Sequence, residues 1–360
     1  MGRRKVLVVG ALGVIGRAIV EHLAARPDTW EVVGVSRRAP DFETRAEFVS
    51  MDLRDARGCR EALSPHADAS HIVYAALYEK PQLARGWLEP DHVEVNRAML
   101  RHLLDGVSHG SLEHVTLMQG AKAYGGHLGR PVPLPSRERA RRVDHNNFYF
   151  AQEDELVERA KREGFEWSVL RPQVVCGVAV GSAMNVVAGI GAYAVLSRER
   201  GLPLVHPGHP HTLTECTDAR LLASAVEWVA TTPGCHGETY NVTNGDLLSW
   251  RDAWSRIAEH FGMEVGAPAP RDLAEEMPHL APLWREIARR EGLRVDSLDG
   301  LIGLSWQYAD LIWANSSAPA RPGLLSSIKI RRSGFHDCMD SEDALLELLE
   351  RMQSQGYLPQ

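Results

Sequence analysis

Two hydrophobic periods alternate along the first half of the chain. "KVLVVGALGVIGRAIVEHLAARP" opens with an unbroken β-branched run, passes through glycines, and then sets Ile15, Ala18, Ile19 and Leu23 on one helical face. "WEVVGVSRR", "AEFVSMDLRD", "SHIVYAAL", "LEHVTLMQG" and "FEWSVLRPQVVCG" repeat the strand signature. Helical patterns separate them, notably "HVEVNRAMLRHLLDGV" and "AQEDELVERAKREG". Apolar strands between amphipathic helices imply parallel βαβ units, since a strand apolar on both sides needs a sheet covered on both faces. The predicted fold is α/β, a doubly wound parallel sheet of the nucleotide-binding (Rossmann) type.

After Gly177 the rhythm changes. Helices are predicted over 183–199, 217–231, 249–261 and 271–291, with a short strand "ETYNVTN" and a closing amphipathic helix "SEDALLELLERMQSQ". Residues 1–177 are expected to form the sheet domain, with 217–245 returning to it. Residues 178–216 and 246–360 are expected to form a smaller, discontinuous, mainly helical portion. The apolar run "AMNVVAGIGAYAVL" falls short of the ~20 residues that span a bilayer and reads as a buried helix.

Gly10, Gly13 and Gly16 in "GALGVIG" stand between a strand and a helix, the arrangement that brings backbone N–H groups and a helix N-terminus against a pyrophosphate. Around this turn the expected dinucleotide contacts are Gly10, Leu12, Gly13, Val14 and Ile15, with Leu53 and Ala75 at the ends of later strands. Ser36 stands where an NAD site usually carries an acid, and Arg37 and Arg38 follow it. A guanidinium grips a 2′-phosphate bidentately where a carboxylate would repel it, so the expected cofactor is NADP(H). Asp52 is placed to accept from the adenine amino group, or else to cap a helix. Gln119, Pro172 and Val174, with Gln173, are expected on the nicotinamide side, and Tyr149 beside them.

The 360 residues are 44% hydrophobic and carry a net charge of −7, which argues against nucleic acid as the main partner. Five scattered cysteines lack metal spacing and read as reduced thiols; with no signal peptide at the N-terminus, a cytoplasmic location is expected. His206, His209 and His211 in "HPGHPH" lack a supporting carboxylate or cysteine, so a Pro/Gly-rich loop is expected there and no metal. The arginines of "RPVPLPSRERARR" read as a solvated loop.

An ordinary short-chain dehydrogenase carries a lysine four residues after its tyrosine. In "NNFYFAQED" that position after Tyr149 is Glu153. Lys122, in "QGAKAYGG" just past the fifth strand, could approach Tyr149 in space instead. A tyrosine with an ordinary pKa near 10 would need such a cation to favour its phenolate.

With these blocks, and with "WSVLRPQVVCG", "SAMNVVAGIGAYA" and "NVTNGDLLSW", nearly the whole chain resembles the progesterone 5β-reductase/iridoid synthase-like enone reductases, atypical extended short-chain dehydrogenases. The resemblance implies that Tyr149 and Lys122 are the catalytic pair. It also implies NADPH-dependent 1,4-reduction of an enone, with the enolate stabilised by Tyr149 and Lys122. Two positions depart from the pattern: Phe150 replaces a second tyrosine, and Leu128 stands where a phenylalanine often screens the pocket. Leu128, Met184, Asn185, Trp306 and Tyr308 are candidate pocket residues, with core packing an equal alternative for the last four. The implied partner is a small-molecule enone, without a membrane, and a homodimer is compatible with the sequence. Carbonyl reduction, sugar-nucleotide epimerisation or dehydration, and a non-catalytic NADP(H) sensor remain open on the same fold.

Overall fold

The computed structural model describes residues 2–107, 110–129, 131–209, 213–313 and 323–360. Seven strands form one sheet: β1 (Arg4–Val9), β2 (Trp30–Ser36), β3 (Glu47–Ser50), β4 (His71–Tyr74), β5 (His114–Met118), β6 (Glu166–Pro172) and β7 (Glu238–Val242). Their order is β7-β6-β5-β4-β1-β2-β3, every neighbouring pair parallel. The order reverses at β1, which lies between β2 and β4. The carboxyl ends there form the crevice where ligands of such sheets sit.

The period-two alternation of β1 decides the two cores. Val6 and Val8 pack on one face, with Ile19 and Leu23 of α1 (Val14–Ala24) and Leu222 and Val226 of a helix at Ala219–Thr231. Leu7 and Val9 pack on the other, against Cys59, Leu100, Leu103 and Leu156. Those come from α2 (Ala56–Leu63), α3 (Pro90–Asp105) and α4 (Phe148–Glu163). The sheet is thus doubly wound, as the sequence pattern predicts.

A third core lies beside the sheet. With α6 (Ala219–Thr231) packed on the sheet, it joins α5 (Val186–Glu199), α7 (Trp250–His260), α8 (Ala281–Glu291), α9 (Ser305–Trp313) and α10 (Ser341–Ser354). Trp250 and Trp254 each meet Trp313 edge-on at 5.4 Å, and such pairs add about 0.5–1.5 kcal/mol each beyond area burial. Helix α5 is buried from Val186 to Ser197, and no described helix is long and apolar enough to cross a membrane. The single helix expected over 271–291 is interrupted: a short turn at Leu273–Glu276 passes through a 3-10 segment, Met277–Leu280, before α8. Pro278 and Pro282 lack the N–H groups that a continuous helix needs there. The chain's end is tied back to α1, where the buried Arg17 guanidinium donates to Gln355 at 2.6 Å and lies 4.4 Å over the Phe42 ring.

Burial pushes His114 down to about 3 and His71 to about 4, with His236 and Arg4 pushing the same way on each in turn. The unfolded chain takes up these protons near 6.5 and the fold resists them. Their stabilising contribution is therefore complete above pH 6.5 and is lost as pH falls toward the folded values. The melting temperature of a His114→Gln variant should fall less steeply than that of the parent between pH 6.5 and 4. Parallel melting curves across that range would refute the assignment.

Candidate active site

The glycine turn after β1 is shaped by contact. Gly10 has φ +85°, and a Cβ on it would sit 2.8 Å from the Ala75 carbonyl. A Cβ on Gly16 would strike the Gly10 carbonyl oxygen. Gly13 differs: its backbone is extended, it precedes α1, and no side chain caps that helix. The first-turn N–H groups of Val14 and Ile15 therefore face the crevice without a side-chain acceptor, which fits an anionic pyrophosphate. Leu12 is buried beside them and Ala75 closes the turn from β4, donating to Val9 at 2.9 Å.

At the end of β2, Ser36 Oγ accepts from the Arg38 backbone N–H at 3.2 Å. The Arg38 guanidinium donates to the Val180 carbonyl at 3.1 Å, tying this edge to the segment after β6. Arg37 is exposed alongside. The Asp52 carboxylate is held at about 2 by hydrogen bonds from Arg54, against an opposing effect of burial. The cap of α2 is Asp55, so the alternative role of Asp52 as that cap is not the one it takes. Leu53 is buried next to it.

Past β5 the chain makes a tight turn, Ala121–Tyr124, that carries Lys122. Asn147 caps α4 by accepting from the Tyr149 N–H at 3.0 Å, and its own amide donates to the Lys122 carbonyl at 2.9 Å. One side chain thus fixes the lysine turn against the start of the tyrosine helix. Lys122 Nζ lies 5.6 Å from the Tyr149 ring centroid, 5.3 Å from that of Phe148 and 4.0 Å from that of Trp87. A Cβ on Gly120 would sit 3.2 Å from the Tyr149 hydroxyl and 3.3 Å from the Pro172 carbonyl, so glycine there leaves room for the phenol.

Burial pushes the Tyr149 phenol well above the ordinary tyrosine value, and Glu79 and Tyr308 push it further, opposed by Arg171. The phenol is held protonated rather than drawn toward phenolate. Burial also pushes the Lys122 ammonium down from the ordinary lysine value, while Glu79, at 3.6 Å, pushes it back up.

Glu153, in the place of the ordinary lysine, has a structural task. It pairs with Arg171 at 3.0 Å and Arg142 at 2.8 Å and accepts from Gln119 at 3.0 Å. Gln119 also donates to the Tyr149 carbonyl at 2.9 Å and accepts from Arg171 at 2.8 Å. Its amide is therefore spent inside the protein, and since its backbone N–H donates to Leu170 at 2.8 Å, only its backbone carbonyl is left for a cofactor. Pro172 and Val174 flank Gln173. Val174 is a β-branched residue at φ +44°, a strained conformation of the kind that clusters at binding sites.

The expected pocket residues separate. Asn185 is 1% exposed; its side chain caps α5 and donates to the Ala179 carbonyl at 3.0 Å, so its polar atoms are spent on the helix start. Trp306 is buried against Gly189 in the helical core. Met184, Leu128 and Tyr308 are half-buried. Phe150 packs under the Arg142 guanidinium at 4.9 Å. His206 packs against Trp254 and Trp313, His209 donates its backbone N–H to Trp313, and His211 lies outside the described residues.

Three participants were not singled out from the sequence. Asn147 carried the ordinary signal of a helix cap. Glu79 and Trp87 lie in the segment after β4, beside the reversal of strand order. That location is the signal that could have pointed to them.

Residues 6–243 match the family described as "NAD dependent epimerase/dehydratase family". The sequence is 31% identical over 376 residues to an (S)-8-oxocitronellyl enol synthase of Camptotheca acuminata, covering 98% of this chain and 93% of the relative. It is 29% identical over 374 residues to a 3-oxo-Delta(4,5)-steroid 5-beta-reductase of Arabidopsis thaliana, covering 98% and 92%. The fold matches the Thermus thermophilus UDP-glucose 4-epimerase, solved with NAD, at a TM-score of 0.64 and 20% identity over 97% of this chain and 99% of that one. Alike in sheet, glycine turn and sequence, the chain belongs to the NAD dependent epimerase/dehydratase family, in the branch of the 8-oxocitronellyl enol synthases and the steroid 5-beta-reductase.

Proposed function

We propose that this protein is an oxidoreductase acting on CH–CH groups, which reduces the C=C bond of an enone with NADPH. The observation that carries the proposal is the meeting of Lys122 and Tyr149, 27 residues apart in sequence, at the carboxyl edge of β5. The named activities of the two relatives support the same reaction class.

The residues present fit a dinucleotide. The Gly10–Gly16 turn and the uncapped start of α1 would hold the pyrophosphate. Arg37, with Arg38 clipped to Val180, would take the 2′-phosphate. When bound, reduced nicotinamide supplies hydride to the β-carbon of the enone. The protein then has to meet the negative charge that develops on the carbonyl oxygen. A protonated Tyr149 donates a hydrogen bond to that oxygen, and the Lys122 ammonium adds positive potential beside it. A phenol held protonated suits a donor to an enolate better than it suits the phenolate base required to oxidise an alcohol, as an epimerase must.

Leu128, Met184 and Tyr308 would border the substrate, which we assign to the portion formed by 178–216 and 246–360. The substrate is a small apolar enone, and five unpaired cysteines support a reducing, cytoplasmic setting.

Tyr149→Phe removes only the hydroxyl and should lower kcat about 10²–10³-fold, the usual loss for one oxyanion donor. Lys122→Met should lower it comparably, with NADPH affinity little changed in both; rates like the parent's in either variant would remove the catalytic assignment. Following NADPH absorbance over a panel of enones of increasing bulk tests the reaction. An alcohol product that keeps its double bond would favour carbonyl reduction. Tight NADPH binding without turnover on any enone would favour a sensor.

Arg37→Ala should weaken NADPH binding by ~10-fold or more, the scale of one charge-assisted hydrogen bond, while NADH binding stays constant. Titration of cofactor fluorescence measures both. Equal losses for the two cofactors would place Arg37 outside the 2′-phosphate site.

A further inference from the structure

Glu79 makes contacts that the proposed reaction does not by itself require. Its side chain is only 6% exposed. The Trp87 indole N–H donates to both carboxylate oxygens, at 2.9 and 3.1 Å, and His92 Nε2 donates to one of them at 3.2 Å. With three approaches already taken, the carboxylate stands 3.6 Å from Lys122 Nζ, beyond hydrogen-bonding range. Nζ itself is buried and has no hydrogen-bond partner. It faces instead the π-surface of Trp87, the same ring whose edge holds Glu79.

We propose that Glu79 is a positioning residue: a fixed counter-charge that keeps the buried Lys122 cationic, restrained by Trp87 and His92 so that the ammonium N–H groups stay available to a ligand. A buried ammonium without a partner tends to lose its proton, and a neutral amine could not stabilise an oxyanion. A carboxylate that closed fully onto it would take one of its three hydrogens and spend much of its charge on an internal ion pair. The Trp87–His92 bracket holds Glu79 between these two failures. Glu79 also pushes the Tyr149 phenol upward, against Arg171, so the phenol remains a donor.

The other groups around the pair do not replace it. Tyr149 faces Lys122 from α4, while His92 of α3 meets Glu79 and the Phe148 ring; Arg171 on β6 and Tyr308 on α9 act on Tyr149; the His127 ring meets Trp87 edge-on at 6.3 Å. None of these carries the negative charge Lys122 needs. The inference rests on the reaction proposed above, and the following test separates the two.

The chain has five lysines, so a protein labelled with [13Cε]lysine gives few signals, and Lys122→Met assigns one of them. The Lys122 titration midpoint should fall by about one pH unit or more in Glu79→Gln, the usual effect of losing an opposite charge at this range, and recover in part in Glu79→Asp. His92→Leu removes a donor that restrains Glu79 and leaves the Trp87 ring over Lys122 in place, so the midpoint should rise; this arm decides the matter if Glu79→Gln does not fold. In parallel, the alkaline limb of kcat for enone-dependent NADPH oxidation should move to lower pH in Glu79→Gln, whereas a merely structural loss would lower kcat uniformly. An unmoved Lys122 midpoint in a protein that reduces enones would overturn the inference and leave the reaction standing. A shifted midpoint in a protein that reduces none would do the reverse.

Discussion

A lysine ammonium removed from water is expensive, and the site is arranged around one. Lys122 reaches its place because Asn147 pins its turn to the start of α4, and its charge is accommodated by a carboxylate and the face of an indole. These groups come from three segments: Lys122 from the turn after β5, Glu79 and Trp87 from the loop after β4, and Asn147 from the start of α4. The parallel sheet brings them together because its carboxyl ends all open on the same side. If the strand order were disturbed, no single loop could hold the cation.

The second constraint is rigidity beneath the pair. Glu153, Arg171, Arg142 and Gln119 form a connected set of charge-assisted hydrogen bonds, and through Gln119 it reaches the Tyr149 backbone. Burial alone would raise the Glu153 carboxyl, but Arg142, Arg171 and Gln119 together hold it below the ordinary value. The position that would carry the reactive lysine in an ordinary dehydrogenase is thus used to anchor the helix. With no lysine there, the position is open to an acid, and Glu153 completes the anchor.

The strands, the glycine turn and the doubly wound order could be read from the chain because they depend on local periodicity and on backbone freedom at Gly10 and Gly16. Boundaries were less legible where two rules compete: the apolar spacing over 271–291 suggested one helix, and Pro278 and Pro282 divide it. Among pocket candidates, Asn185 looked suitable by composition, yet its amide is consumed in capping α5, a role visible only once the helix start is fixed.

The sequence by itself determined the fold class, the glycine turn and the short motifs that make Lys122 and Tyr149 the candidate pair, since strand and helix periods and short motifs are local properties of the chain. Tertiary structure alone decided that Glu79 and Trp87 stand beside Lys122 and that burial pushes the Tyr149 phenol upward. Both depend on burial and on distances between segments far apart in sequence, and in a low-dielectric interior such distances set the charge on each group.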